Sequence, residues 1–257
     1  MTKLLVQTAL SATIMLALGA AAPASAQQDD AYGEEGLYLS LSAAADFPNS
    51  GEFDGVQAPD PGVPGASGDP ASVSVDYETG FNVRGAVGYE FDRGVLFKNL
   101  VPRIEVEFEY GENDVSSGTF NGGNQTFGGD ITRYAVKASF YNDIRWSKDQ
   151  TFIPYFGTGL GIGVVDTNIT YFPNNGIATA PTFAVSGSST SFTTHSAIGA
   201  TIKLGPQLEL FGEGRYTDYR NGDFERIFVG DGSGGFNADL QGDTETFSLG
   251  AGIRYRF

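Results

Sequence analysis

Apolar and polar positions alternate with a period of two along most of the chain, a pattern typical of β-strands with one apolar face. The clearest example is residues 151–166, where Phe156, Leu160 and Ile162 alternate with glycines. The sequence predicts eight strands of this kind, covering about residues 37–47, 74–92, 102–112, 131–146, 151–166, 192–204, 208–216 and 244–257.

The connections between these segments alternate in length. Four are long and rich in Gly, Pro, Asn or Asp, and three are short. An even number of strands with this alternation is the pattern of an up-and-down membrane barrel. The sequence therefore predicts an all-β fold, an eight-stranded antiparallel up-and-down transmembrane β-barrel with four long extracellular loops and three short periplasmic turns. The long connections are residues 47–72, 113–130, 167–191 and 221–243, and the short ones are 92–101, 147–150 and 205–206.

Charge on the polar faces favours a membrane barrel. Glu105, Glu107 and Glu109 project from one face about 7 Å apart, and basic residues follow on the next strand. An eight-stranded barrel has an interior just wide enough for side chains, so opposite charges would fill it with ion pairs. The predicted lumen network is Arg84, Glu105, Glu107, Glu109, Arg133, Lys137, Arg145, Lys203, Glu209, Glu213, Arg215, Arg254 and Arg256.

The alternative is a secreted soluble sandwich or lipocalin-like barrel, in which the apolar face would be the interior. Large apolar side chains are too numerous for so small a cylinder. Aromatic residues also recur near the strand ends, as in the interfacial girdles of membrane barrels. The predicted girdle residues are Tyr89, Phe91, Tyr110, Trp146, Phe152, Tyr216, Tyr219, Tyr255 and Phe257.

The first residues have the form of an export signal. Lys3 precedes a mostly apolar stretch, and Ala24-Ser25-Ala26 before Gln27 fits a signal-peptidase site. We predict a signal peptide over residues 1–26, with cleavage between Ala26 and Gln27, and a barrel domain over residues 27–257. The alternative is an uncleaved anchor. Beyond this segment, no stretch of about 18 apolar residues predicts a spanning helix.

The composition excludes several classes of function. The chain has 36 glycines, no cysteine, one histidine and a formal net charge of −16. The acidic balance argues against a nucleic-acid partner, and the lack of cysteine excludes disulfides and thiolate metal sites. One histidine cannot supply a two-histidine metal site, and no cofactor is expected.

The predicted loops hold most of the excess acid. Beside anionic lipopolysaccharide they would be repelled unless Ca²⁺ or Mg²⁺ bridges the two, so divalent cations are hypothesised as partners. The glycine-rich residues 230–235 match no calcium motif and predict a flexible loop. The loop acids are Asp46, Glu52, Asp54, Asp60, Asp69, Asp114, Asp130, Asp223, Glu225, Asp231, Asp239 and Asp243.

Two features have competing interpretations. His195 points into the predicted lumen and could serve catalysis, but the adjacent Ser196 faces the other side, so a hydrogen-bonded lumen histidine is favoured. Glycines 157, 159, 161 and 163 either make room for side chains from across the lumen or line a thin water path. The sequence favours the first.

The C-terminal residues 244–257 end an alternating strand on Phe257. Together with residues 80–91, 153–161 and 208–216, they resemble the outer-membrane β-barrel family related to the OmpA transmembrane domain. This resemblance implies an eight-stranded barrel in a Gram-negative outer membrane. It also implies that Tyr255 and Phe257 form a signal for the outer-membrane assembly machinery, and that outer-membrane lipids and lipopolysaccharide surround the protein. The chain has no peptidoglycan-binding domain, so cell-wall anchoring is not expected.

The function predicted from the sequence is a non-enzymatic structural or surface barrel. Its lumen is plugged by ion pairs, and its loops are available for envelope or host-surface interactions. The alternative is a small-solute porin with a narrow channel, and a lipid A-modifying enzyme is less favoured.

Overall fold

The computed structural model describes residues 35–58, 68–92, 99–147, 149–174, 179–230 and 237–257. The predicted signal peptide, with its cleavage site at Ala26 and Gln27, lies outside these residues. The described part contains no helix long and apolar enough to cross a membrane. Its ten strands are β1 (Gly36–Pro48), β2 (Gly51–Gln57), β3 (Pro70–Tyr77), β4 (Gly80–Glu90), β5 (Leu100–Phe120), β6 (Gly123–Ile144), β7 (Phe152–Pro173), β8 (Phe183–Lys203), β9 (Leu208–Phe228) and β10 (Ala238–Arg256).

These strands close into one antiparallel barrel. From β4 to β10 each strand pairs with the next, and β1 pairs with both β4 and β10. Strand β2 continues the position of β1 beside β10, and β3 continues the position of β4 beside β5. The barrel therefore has eight strand positions, which confirms the predicted all-β antiparallel architecture.

The predicted long loops are largely strand. Strands β6 and β7 have 22 residues each, about twice the 9–11 that cross a bilayer. The connection predicted over residues 113–130 shrinks to a turn at Asn121 and Gly122, whose φ angles of 47° and 74° suit a two-residue hairpin. These segments were predicted as loops because their glycines and acids lower strand propensity.

The barrel has two halves with opposite patterns. The terminal half contains β1, β4, both described chain ends and the parts of the other strands that pair beside them. Its apolar side chains face outward and its polar side chains face inward. Exposed examples are Leu37, Leu41, Ile104, Val106, Val136, Phe156, Leu160, Ile162, Ile198, Leu249 and Ile253.

The hairpin half contains β2, β3 and the segments of β5 to β10 that extend beyond the terminal half. Its interior is an apolar core, formed mainly by Phe53, Val73, Val75, Val115, Ile131, Val165, Ile169, Tyr171, Val185, Phe224 and Leu240. Near the hairpin ends the Arg226 guanidinium carbon lies 4.2 Å and 3.8 Å from the ring centroids of Phe120 and Phe183. The outer face carries exposed acids such as Glu52 and Asp54.

Strand breaks and register shifts accompany this inversion in part of the barrel, whereas in β7 and β10 the same positions face inward throughout and the apolar residues move to those positions instead. A one-residue shift moves every following side chain to the other face of a sheet. Even-numbered residues face inward in β1, but odd-numbered residues such as Phe53 face inward in β2. The same change occurs between β3 and β4, and β5 and β9 contain register shifts near Val115 and Tyr219. The acids of β2 consequently face water instead of the apolar core.

Candidate functional site in the lumen

The interior of the terminal half is filled with charged side chains. Eight acids and eight bases are buried there, and every one takes part in at least one salt bridge. The two sets balance, so this interior is formally neutral although the whole chain carries −16. The acids are Asp46, Glu90, Glu105, Glu107, Glu109, Asp143, Glu209 and Glu213, and the bases are Arg84, Arg103, Arg133, Lys137, Arg145, Arg215, Arg254 and Arg256.

Hydrogen bonds and salt bridges between described side chains divide these residues into three groups, each with equal numbers of acids and bases. The terminal cluster lies nearest the chain ends and has four of each. Arg103 donates to Glu105 at 2.6 Å and to Asp143 at 2.8 Å, and the Tyr38 hydroxyl donates to Glu105 at 2.6 Å. Arg256 bridges Glu90 and Glu209. The complete cluster is Glu90, Arg103, Glu105, Asp143, Arg145, Glu209, Arg254 and Arg256.

The central cluster has three acids and three bases, namely Arg84, Glu107, Glu109, Lys137, Glu213 and Arg215. Arg215 lies at its centre and donates to Glu107 at 2.5 Å and to Glu213 at 3.0 Å. The remaining direct bonds are Arg84 to Glu213 at 2.6 Å and Lys137 to Glu109 at 2.5 Å. Tyrosine hydroxyls from Tyr141, Tyr155 and Tyr219 donate to these carboxylates.

The third group is the boundary pair, Asp46 and Arg133. Its carboxylate and guanidinium lie 2.5 Å apart. Thr246 donates to the other oxygen of Asp46 at 2.7 Å, and Arg133 also donates to Asn113. The side-chain amide of Asn113 donates in turn to the main-chain oxygens of Asp46 and Glu78. This pair therefore ties β1, β5, β6 and β10 together just below the apolar core.

The glycines of β7 are covered by lumen side chains. A Cβ atom at Gly157 would lie 2.1 Å from Cδ1 of Tyr141, and one at Gly163 would lie 2.6 Å from Cε1 of Tyr219. At Gly159 the covering side chain is His195, and at Gly161 it is the stem of Lys137. The four positions make room for lumen side chains, as the first of the two sequence interpretations holds, but these side chains come from β6, β8 and β9 on the same side of the barrel and not from across the lumen.

His195 is buried among the central cluster. Its Nε2 lies 3.5 Å from the Tyr141 hydroxyl and 3.8 Å from Glu107. Ser196 is exposed on the outer face, as expected from the alternation. Ser139 lies on the other side of Gly159, a neighbour that the sequence does not indicate, and its side chain is buried too. A substrate would have to enter the filled interior to reach either residue.

The structure places twelve of the thirteen predicted lumen residues inside the barrel. Lys203 differs: it is half-buried near the end of β8 and forms no salt bridge with a described residue. Glu90, Arg103 and Asp143 also face the lumen and were not selected, although they occupy polar positions of the same alternating segments. Tyr219 was assigned to the outer girdle, but the structure buries its ring in the lumen and its hydroxyl donates to Glu109 at 2.7 Å.

Asp46 was placed among the loop acids, and the structure buries it in the boundary pair. Other acids of that set face outward in the hairpin half. Glu52 lies opposite Asp243, and Asp239 lies opposite Glu225, across antiparallel pairs. The described residues include no group of three or more acidic or histidine side chains that could hold a metal ion. Asp60, Asp231 and most of residues 230–235 lie outside the described residues.

A closed barrel with an apolar exterior around a polar interior is the architecture of transmembrane β-barrels. The chain belongs to the outer membrane protein beta-barrel domain family, whose model matches residues 12–257. The resemblance inferred from the sequence is thereby confirmed. The protein is accordingly an outer-membrane protein of a Gram-negative bacterium, and its terminal half crosses the membrane. In such barrels the long connections face the outside, so we expect the hairpin half to lie outside the cell.

Solved structures similar in fold to this chain include three proteins. The outer membrane protease OmpT from Escherichia coli is 10% identical, with 91% of this chain and 99% of that chain covered and a TM-score of 0.51. Neisserial surface protein A is 16% identical, with coverage of 86% and 97% and a TM-score of 0.43. OprG from Pseudomonas aeruginosa is 15% identical, with coverage of 89% and 100% and a TM-score of 0.46. No curated protein matches the chain.

Proposed function

We propose that the protein is a closed, non-enzymatic barrel that holds a rigid β-sheet extension above the outer leaflet for envelope or surface interactions. The observation that carries this proposal is that side chains fill the interior of both halves of the barrel. Three neutral groups of ion pairs occupy the terminal half, and an apolar core occupies the hairpin half. Opening a path for solutes would require separating buried opposite charges and also exposing the apolar core, and both changes are costly.

Planar-bilayer conductance tests the closed state against the porin alternative. Purified protein, first shown to be a folded barrel by heat-modifiable gel migration, is expected to give no unitary current steps. Reproducible steps from the folded fraction would refute the proposal. Removing the Arg84 side chain by Arg84→Ala should leave the membrane silent, because the apolar core still fills the hairpin half.

The absence of enzymatic activity is part of the proposal. It is supported by the burial of His195 and Ser139 inside the filled lumen. Lipid A extracted from cells that overproduce the protein should have the same acylation pattern as lipid A from cells with an empty vector. A changed pattern that is lost in a His195→Ala variant would contradict the proposal.

The proposed function also includes two interactions with the cell envelope, one with lipopolysaccharide and one with the assembly machinery. Outward acids of the hairpin half, among them Glu52 and Asp243, would contact lipopolysaccharide through Ca²⁺ or Mg²⁺ bridges. Millimolar Ca²⁺ should raise the thermal stability of the protein in lipopolysaccharide-containing vesicles. An unchanged thermal stability would contradict the proposed cation bridges.

Tyr255 and Phe257 would form the signal for the assembly machinery. Their rings pack edge to face at 5.4 Å at the end of β10. Phe257→Ala should lower the amount of heat-modifiable protein in the outer membrane, whereas Phe247→Ala, a change within the same strand, should lower it less. Equal effects would argue against a signal role for Phe257.

A further inference from the structure

A small cavity lies between the terminal and central clusters. Side chains from seven of the eight strand positions line it, and its volume is about 20 Å³. Arg103, Glu105 and Arg254 contribute from the terminal cluster, and Arg84, Glu107 and Glu213 contribute from the central cluster.

Three arginines that line this cavity carry hydrogen-bond donors without protein acceptors. Nε and Nη2 of Arg84, Nη2 of Arg103 and Nε of Arg254 are buried and make no hydrogen bond to a described residue. Leaving such a donor without a partner is costly, and buried polar groups that lack a protein partner are commonly paired by an internal water. Unpaired donors from both clusters thus belong to residues that line the same cavity.

We propose that the cavity binds one ordered water molecule, which accepts hydrogen bonds from Arg84 and Arg103 and donates to the carboxylates that line it. The volume exceeds the roughly 10–15 Å³ that one water needs. The carboxylates of Glu105, Glu107 and Glu213 would repel an anion, whereas a water molecule both accepts from the arginines and donates to the acids. The site joins two separately neutral clusters into one hydrogen-bonded plug. The water site adds detail to the proposed closed barrel and rests on that proposal.

A high-resolution structure of the full barrel in lipid tests the site directly. The expected result is a solvent peak about 3 Å from a guanidinium nitrogen of Arg84 and one of Arg103. Data from crystals grown in bromide identify an anion by its anomalous signal. An empty cavity, a bromide peak, or a direct bond from Arg84 to Glu105 that closes the space would each overturn the proposal.

Solution NMR of the refolded barrel provides a second measurement with an internal control. The Nε–H of Arg84, which makes no hydrogen bond to a described residue, should show cross-relaxation with a long-lived water. The Nε–H of Arg215 should not, because it already donates to Glu213 at 3.0 Å. Equal signals from Arg84 and Arg215, or none from Arg84, would contradict the water site. Conductance of the same sample separates the two proposals, because current steps refute the closed lumen whether or not the water is present.

Discussion

Asp46 of β1 and Arg133 of β6 form a salt bridge across the barrel, with 2.5 Å between Oδ2 and Nη2. Both side chains are 1% exposed. The pair marks the level at which the interior changes from charged to apolar. The buried side chains next to it on the hairpin side belong to the apolar core around Ile131 and Val75. A buried charge at such a boundary depends strongly on its partner.

Removing one member of this pair should therefore be costly. Asp46→Asn leaves Arg133 without its carboxylate, and we expect the free energy of unfolding to fall by about 3 kcal/mol. Urea unfolding of the protein in lipid vesicles measures this change. Asp54→Asn is the matched control, since Asp54 is exposed and its loss should change stability by less than about 0.5 kcal/mol. Equal midpoints for the two variants would contradict the role of the pair.

The central cluster should respond as a unit. Glu213→Gln removes the carboxylate shared by Arg84 and Arg215, and it should destabilise the barrel by about 3 kcal/mol. Adding Arg84→Met should cost much less than the same change in the parent protein, because one unpaired charge is removed. A double-mutant cycle from urea midpoints gives the coupling between the two residues. Simple additivity would show that Arg84 and Glu213 do not act together.

Glycine is required where a ring covers the neighbouring strand. Gly157→Ala should destabilise by about 1–3 kcal/mol, since the new methyl group would overlap the Tyr141 ring. Gly212→Ala is the control: Gly212 is also in a strand, but the nearest atom to its Cβ position is 3.9 Å away. Thermal unfolding of both variants checks the difference. If Gly157→Ala were as stable as Gly212→Ala, the packing of Tyr141 on Gly157 would not matter for stability.

The two halves should tolerate outward charge differently. Ile198 in the terminal half is 70% exposed and Val56 in the hairpin half is 57% exposed, so the two sites are comparable by exposure alone. Ile198→Arg places a charge in lipid and should cost about 2–4 kcal/mol in vesicles. Val56→Arg places it in water and should be nearly neutral. Similar losses at both positions would contradict the assigned membrane boundary.

Asp76 of β3 offers a pH-dependent check of the hairpin half. Ser50 and Ser117 donate hydrogen bonds to its carboxylate at 2.6 Å and 2.8 Å, and these bonds hold the pKa of Asp76 below its ordinary value of 3.8. Because the ionised carboxylate is stabilised, its contribution to folding stability is fully present when the pH is above that ordinary value. The contribution is lost as the pH falls through the lowered pKa. Ser117→Ala should raise the pKa of Asp76, which a carbon-13 NMR titration measures. Ser188→Ala, on β8, is the control and should leave it unchanged.

Alternation alone predicted the terminal half well, because each of its strands keeps one face toward lipid. It predicted the hairpin half poorly. There the strand breaks at Asn49 and Glu78 and the register shift near Val115 change which positions face inward, and sequence spacing does not reveal a break or a bulge. In β7 and β10 the same positions face inward throughout, and the apolar residues change position instead. Acids such as Glu52 then resembled loop residues, although they belong to a water-facing strand. Asp46 and Tyr219 lie close to this reversal, which explains why both were assigned to the wrong surroundings.

The reversal of the two faces has a consequence for the newly exported chain. Before folding, its long segments carry apolar side chains that will lie on opposite faces of the same strand. Ile162 will face lipid, and Ile169 will lie in the apolar core of the protein. Both sets must stay protected from aggregation until insertion. Burial of the second set then awaits closure of the cylinder outside the bilayer, so membrane insertion by itself leaves this protein half-folded.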